Sequence, residues 1–153
     1  MNPLSKREQQ TRILQALKPH VPVDCLLWTD EDTTPYECDA LTAYRQRPRL
    51  VALPETEEQV SAILKTCYAL HVPVVARGAG TGLSGGALPH AEWVTLSLAR
   101  FNRIVEIDDL SRTAVVQCGV RNLAISEAVA PLGLYYAPDP SSQIACTIGG
   151  NVA

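Results

Sequence analysis

The 153-residue sequence contains no apolar run approaching the ~18 residues that a membrane-crossing helix needs. Its first residues, Met1-Asn2-Pro3-Leu4-Ser5-Lys6-Arg7-Glu8, lack the apolar core of a signal peptide. Both absences point to a soluble, cytoplasmic protein. The five cysteines, Cys25, Cys38, Cys67, Cys118 and Cys146, are odd in number, widely spaced and never in a C-x-x-C pair, which speaks against a disulfide framework, a zinc site and an iron–sulfur cluster. They read as structural thiols. There is no basic stripe either: the net charge is −3 and the basic residues are scattered, so nothing favours nucleic acid as a partner. His20, His71 and His90 have no carboxylate or cysteine partner nearby in sequence, which leaves no catalytic candidate among them. The acidic trio Asp30, Glu31 and Asp32 reads as a solvated loop rather than a metal site, and no metal is expected.

What is present is an ordinary globular composition, 46% hydrophobic and 19% charged, in a length that suits one domain. Its most distinctive stretch is Arg77-Gly78-Ala79-Gly80-Thr81-Gly82-Leu83-Ser84-Gly85-Gly86, which begins where the apolar segment Pro73-Val74-Val75-Ala76 stops. Five glycines so close together let the backbone reach positive φ and approach a ligand without a Cβ in the way. Successive N–H groups in such a turn can form a concave nest for an anion, and Arg77, Thr81 and Ser84 add side-chain donors. A phosphate-holding loop is one reading; a glycine-rich turn that merely reverses the chain is the other. Gly80 to Gly85 matches G-x-G-x-x-G, yet Ala87-Leu88-Pro89-His90 and the strand-like Trp93 to Leu98 follow instead of a helix, which argues against a Rossmann fingerprint. No Gly-Lys-Ser/Thr closes the run, so the Walker loop fails as well. The loop suits a diphosphate held mainly by backbone.

Taken in order, Ser5 and Glu8 make a capping box that predicts a helix from Ser5 to Lys18 with Ile13, Leu14 and Leu17 on one face. From Val21 to Tyr36 prolines and acids break any periodicity and predict mostly loop, anchored by Cys25-Leu26-Leu27-Trp28. Leu50 to Leu53 reads as a strand, Thr56 and Gln59 as a second capping box, and Val60, Ile63, Leu64 and Cys67 as the apolar stripe of the helix that follows. With Pro73 to Ala76 this makes a β-α-β unit with parallel strands, and the glycine loop leaves the C-terminal end of the second strand. Trp93–Leu98, Arg103–Ile107 and Thr113–Cys118 predict neighbouring strands of a meander, hence an α+β architecture. Asn122 is the expected N-cap of a helix to Leu132, with Ile125, Val129 and Leu132 inward and Gly133 as its stop. The two tryptophans and most tyrosines read as core or interface. The tail, Pro138-Asp139-Pro140-Ser141-Ser142-Gln143 and then Cys146-Thr147-Ile148-Gly149-Gly150-Asn151-Val152-Ala153, combines extended prolines, hydroxyls and a Gly-Gly pair. It is either a second ligand-facing loop or a surface turn. Stopping directly after Gly-Gly-Asn-Val-Ala, it reads as an interrupted domain.

Leu53-Pro54-x-Thr56-x-x-Gln59-Val60, the run Arg77 to Gly86, and the tail from Pro138 to Ala153 together resemble the FAD-binding domain of the vanillyl-alcohol oxidase/p-cresol methylhydroxylase superfamily, in particular the FAD-linked glycolate oxidase and D-lactate dehydrogenase branch. The resemblance runs from about Asp39 onward. It implies the FAD-binding PCMH-type α+β fold, a small parallel βαβ subdomain plus a mainly antiparallel sheet with flanking helices, truncated. Residues 1–38 would be an N-terminal helix and lead-in, and residues 39–153 a FAD-binding domain incomplete at its C-terminus. It implies that Arg77, Gly78, Ala79, Gly80, Thr81, Gly82 and Ser84 hold the FAD pyrophosphate, that Pro54 lies by the adenine, and that Pro140, Ser141, Thr147, Gly149, Gly150 and Asn151 approach the flavin side. Some members carry a histidine in the glycine loop that bonds covalently to the flavin; Thr81 stands there in this sequence, so the expected FAD is non-covalent. The branch oxidises small 2-hydroxy acids such as glycolate or D-lactate by hydride transfer to FAD. Its substrate and proton-abstracting groups belong to a later cap domain, so no catalytic residue is assigned here. Accessory flavin and iron–sulfur subunits, and peripheral association with the inner membrane through them, are further implications. The alternative function is a stand-alone FAD-binding or accessory module without catalysis of its own.

Overall fold

The computed structural model describes residues 5–153, leaving the first four residues of the lead-in outside the described chain. Two compact units emerge, one of residues 1–76 and 82–97, the other of residues 77–81 and 98–153.

In the first unit, helix α1 (Lys6–Leu17) starts as the sequence predicts. The Ser5 hydroxyl accepts the Glu8 N–H at 3.3 Å while the Glu8 carboxylate accepts the Ser5 N–H at 2.8 Å, so two orphan donors of the first turn are satisfied reciprocally. The Ser5 hydroxyl and then its N–H hold the Glu8 carboxyl below the usual carboxylate range. Ile13 and Leu17 are buried. The stretch expected to be loop is more ordered than its composition suggests. It holds a 3-10 turn (Val23–Cys25), a short strand β1 (Leu26–Leu27), helix α2 (Asp30–Thr33) and a second 3-10 turn (Thr34–Tyr36). The Thr29 hydroxyl accepts the Asp32 N–H at 3.2 Å, and the acidic trio forms the first turn of α2, where negative charge suits the helix dipole. Among the described residues no group of three or more His, Cys, Asp and Glu side chains could hold a metal ion.

Strand β2 (Leu50–Ala52), helix α3 (Glu57–Ala69), strand β3 (Val74–Arg77) and strand β4 (Val94–Ser97) complete the sheet, whose strand order is β1-β2-β4-β3. The Thr56 hydroxyl accepts the Gln59 N–H, but the Gln59 side chain reaches one residue further back, to the Glu55 N–H at 2.7 Å, so the second capping box is offset. Ile63 and Cys67 carry the buried face of α3, whereas Leu64 is 45% exposed, making the stripe narrower than its spacing predicts. Burial pushes the Cys67 thiol up to about 11.

β2 and β3 are not neighbours, because β4 lies between them and pairs in parallel with β2 (Leu50 with Val94, Val51 with Thr95, Ala52 with Leu96). The segment expected to join the meander therefore belongs to this sheet. Every residue of β2 and β4 is buried, as befits inner strands covered on both faces.

The second unit contains strands β5 (Ile104–Asp108) and β6 (Thr113–Val116), an antiparallel pair with a register shift between Ile104 and Glu106. The turn joining them is organised by Asp108, whose Oδ1 accepts the N–H groups of Leu110 and Ser111, each at 3.0 Å. Helix α4 (Asn122–Val129) runs into a 3-10 turn (Ala130–Leu132) that ends at Gly133 in the left-handed region, φ 71°, as predicted from its glycine. Two details differ: the N-cap is Arg121 rather than Asn122, and Leu132 is 47% exposed. The tail is not all loop, because a short helix α5 (Ile148–Val152) follows Thr147. None of the five cysteines is in a disulfide among the described residues. Tyr44, Tyr68 and Tyr135 are exposed, which excludes the core and not the interface alternative for them. No helix among the described residues is long and apolar enough to cross a membrane.

Candidate functional site

Within the second unit a series of backbone hydrogen bonds registers four segments against one another. The Leu98 N–H donates to the Arg77 carbonyl at 3.0 Å, and the Gly119 N–H donates to the Phe101 carbonyl at 2.7 Å. The Gly149 N–H donates to the Cys118 carbonyl and the Ile148 N–H to the Val120 carbonyl, at 2.8 and 2.9 Å. The start of the glycine loop, the turn after β4, the segment before α4 and the start of α5 are thereby fixed together.

Two of the expected site regions meet as a result. A Cβ on Gly78 would collide with the Thr147 hydroxyl, so only glycine lets that oxygen lie directly against the loop backbone. Gly80 takes φ +72°, and a Cβ there would stand 2.6 Å from Cζ of Arg77. The Arg77 guanidinium is thus folded beneath the loop, with the residue 9% exposed. Among the described residues, the N–H groups of Gly78, Ala79, Gly80 and Thr81 donate to no backbone carbonyl. Thr147 is 7% exposed and its Oγ1 has no hydrogen-bond partner among the described residues. A buried hydroxyl left this way costs about 1–3 kcal/mol, which a ligand oxygen would relieve. Gly78, Ala79 and Thr147 line a cleft of about 520 Å³ together with Ala99, Asn102, Gly119 and Arg121.

The other expected residues divide clearly. Gly149 is explained by packing, because a Cβ there would lie 2.7 Å from the Cys118 Cβ and 2.9 Å from its carbonyl oxygen, and its own N–H is occupied. Gly150 and Asn151 lie in α5, with the Asn151 N–H donating to the Thr147 carbonyl. The Pro140 carbonyl closes a turn by accepting the Gln143 N–H at 2.8 Å, and Ser141 next to it is exposed. Pro54, Gly82 and Ser84 belong to the first unit, where Pro54 is fully buried and Ser84 exposed. Gly82 is not in the left-handed region and a Cβ on it would meet nothing within 4 Å.

Three residues were missed. Gly119 admits the carbonyls of Leu98 and Phe101 where a Cβ would stand. Arg121 bridges to Thr147. Asn122, wholly buried, clips the tail to α4 through its N–H to the Cys146 carbonyl at 2.9 Å and its Nδ2 to the Pro138 carbonyl at 3.2 Å. A lone glycine between a strand and a helix, in Cys118-Gly119-Val120-Arg121, was the available signal.

A free-amide loop beside an unpartnered buried hydroxyl is suited to a diphosphate, and comparison with known proteins names the group that carries one. Residues 48–153 match a family model described as FAD binding domain. The chain belongs to this family of FAD-binding domains. Over 144 residues it is 65% identical to the glycolate oxidase subunit GlcD of Escherichia coli K12, covering 94% of this chain and 29% of that protein. Among solved structures, a 4-ethylphenol oxidase from Gulosibacter chungangensis superposes with a TM-score of 0.81 at 26% identity, over 98% of this chain and 29% of that one. p-Cresol methylhydroxylase superposes at 0.73 and 22% identity, over 84% of this chain and 26% of that one. The fold is therefore that of the PCMH-type FAD-binding domains. The chain spans less than a third of the length of each of these relatives, 29%, 29% and 26%.

Proposed function

We propose that this chain is the FAD-binding portion of a flavin-dependent oxidoreductase that oxidises a small 2-hydroxy acid, glycolate or D-lactate, and that it holds FAD without a covalent bond. The observation that carries the reading is the segment 78–81, whose amides donate to no backbone carbonyl among the described residues and which holds Gly80 in the left-handed region, against the hydroxyl of Thr147, unpartnered among the described residues. In this reading the amides of Gly78 to Thr81 and the Thr147 hydroxyl donate to the diphosphate, while Arg77 beneath Gly80 sets the loop's curvature. Bound FAD supplies the two-electron acceptor for the α-hydrogen of the acid. Thr81 offers no imidazole nitrogen for a flavin bond. The 65% identity to a glycolate oxidase subunit supports both the substrate class and the presence of partner chains.

Acid precipitation of the flavin-loaded protein in its full natural length should release FAD to the supernatant. Adding glycolate or D-lactate anaerobically before precipitation should bleach the flavin. Yellow colour retained in the pellet contradicts non-covalent binding, and a flavin left oxidised by both acids contradicts the substrate class.

A further inference from the structure

The cleft that borders Gly78, Ala79 and Thr147 contains one charged lining side chain among the described residues, Arg121, and no carboxylate. Its other lining residues are mostly glycine and alanine, which leaves its walls with little side-chain bulk. The usual alternative source of positive potential, the amino end of α4, is occupied: the Asn122, Leu123 and Ala124 N–H groups donate to the carbonyls of Cys146, Gln143 and Arg121. The guanidinium of Arg77 is packed under Gly80. Anion recognition by a side-chain cation in this cleft thus falls to Arg121.

The geometry of Arg121 suits that task. Its backbone is pinned by the antiparallel bridge to Thr147, so the base of the side chain sits beside the unpartnered hydroxyl. Its head is exposed and, among the described residues, holds only the neutral Ile144 carbonyl, through Nη1 at 3.3 Å. A charge-assisted bond to a phosphate oxygen is shorter and roughly twice as strong as such a neutral one, so the exchange favours an anion.

We infer that Arg121 is a cofactor-contacting residue whose guanidinium leaves the Ile144 carbonyl for an oxygen of the FAD diphosphate. This rests on the functional reading above. The test measures binding of FAD, ADP, adenosine and riboflavin to the protein in its full natural length, at low and high salt, for the wild type, Arg121→Gln and Arg121→Lys. Arg121→Gln should weaken FAD and ADP by about tenfold or more and flatten their salt dependence, with adenosine and riboflavin unchanged, and Arg121→Lys should recover part of the loss. The ligand-free melting temperature should stay at the wild-type value. FAD and ADP affinity equal to wild type in Arg121→Gln overturns the inference, as does an equal loss for all four ligands with a lowered ligand-free melt, which marks a purely structural role. A wild-type protein that binds neither FAD nor ADP overturns the functional reading itself.

Discussion

Gly78 and Gly80 lie in a segment whose amides have no backbone acceptor among the described residues, and the atoms that a Cβ would strike belong to side chains, the Thr147 hydroxyl and the Arg77 guanidinium. Gly119 and Gly149, in the same unit, donate their amides to Phe101 and Cys118, and a Cβ on either would strike main-chain carbonyls. The first pair leaves its donors without a main-chain acceptor; the second lets two stretches of backbone approach until they bond. Glycine density alone does not distinguish the two roles. Where the amide goes does.

The largest effect that would break this comparison is at Gly149. Valine there should destabilise the ligand-free protein by about 1–3 kcal/mol, read as a lowered melting temperature, because the Cys118 carbonyl cannot retreat without breaking its hydrogen bond. An unchanged melt would remove the packing role.

Gly80→Val should abolish flavin retention, since a β-branched residue is strained in the left-handed region by about 1–2 kcal/mol and would displace Arg77. Gly82→Ala is the matched control. A glycine outside the left-handed region with open space around it should tolerate the methyl group, so flavin content should equal wild type. If both variants retain flavin equally, the loop's geometry is not what holds it.

A smaller and more specific change is Thr147→Val, which keeps shape and removes the hydroxyl. Because Oγ1 has no partner, the ligand-free melt should hold or rise slightly, while ADP affinity falls by about tenfold. A lower ligand-free melt with unaltered ADP affinity would make Thr147 structural.

Much of the fold was legible because local signals agreed with the global outcome. The Ser5–Glu8 box, the strand at Leu50, the Thr56 cap and the left-handed Gly133 all act within one turn of the chain. What misled was strand adjacency. Trp93 to Leu98 has an apolar pattern that fits any buried strand, and only the partner choice of Leu50–Ala52 places it between β2 and β3. The site divides the same way. The loop from Arg77 to Thr81 stands out by composition, whereas Gly119, Arg121 and Asn122 act through long-range bonds to residues 101 and 138–147 that no spacing rule reveals. Gly149 was the converse case, a conspicuous glycine whose partner, Cys118, lies far away in sequence.

The most direct test of the diphosphate cradle is the thermal melt of the protein in its full natural length with FAD, ADP, adenosine and riboflavin. Ligands that bind only the folded state raise its stability by mass action, about 2.7 kcal/mol at a hundredfold excess over the dissociation constant. The account predicts that FAD and ADP raise the melting temperature while adenosine and riboflavin leave it unchanged. A rise with adenosine or riboflavin equal to that with ADP, or no rise with ADP at all, would contradict it.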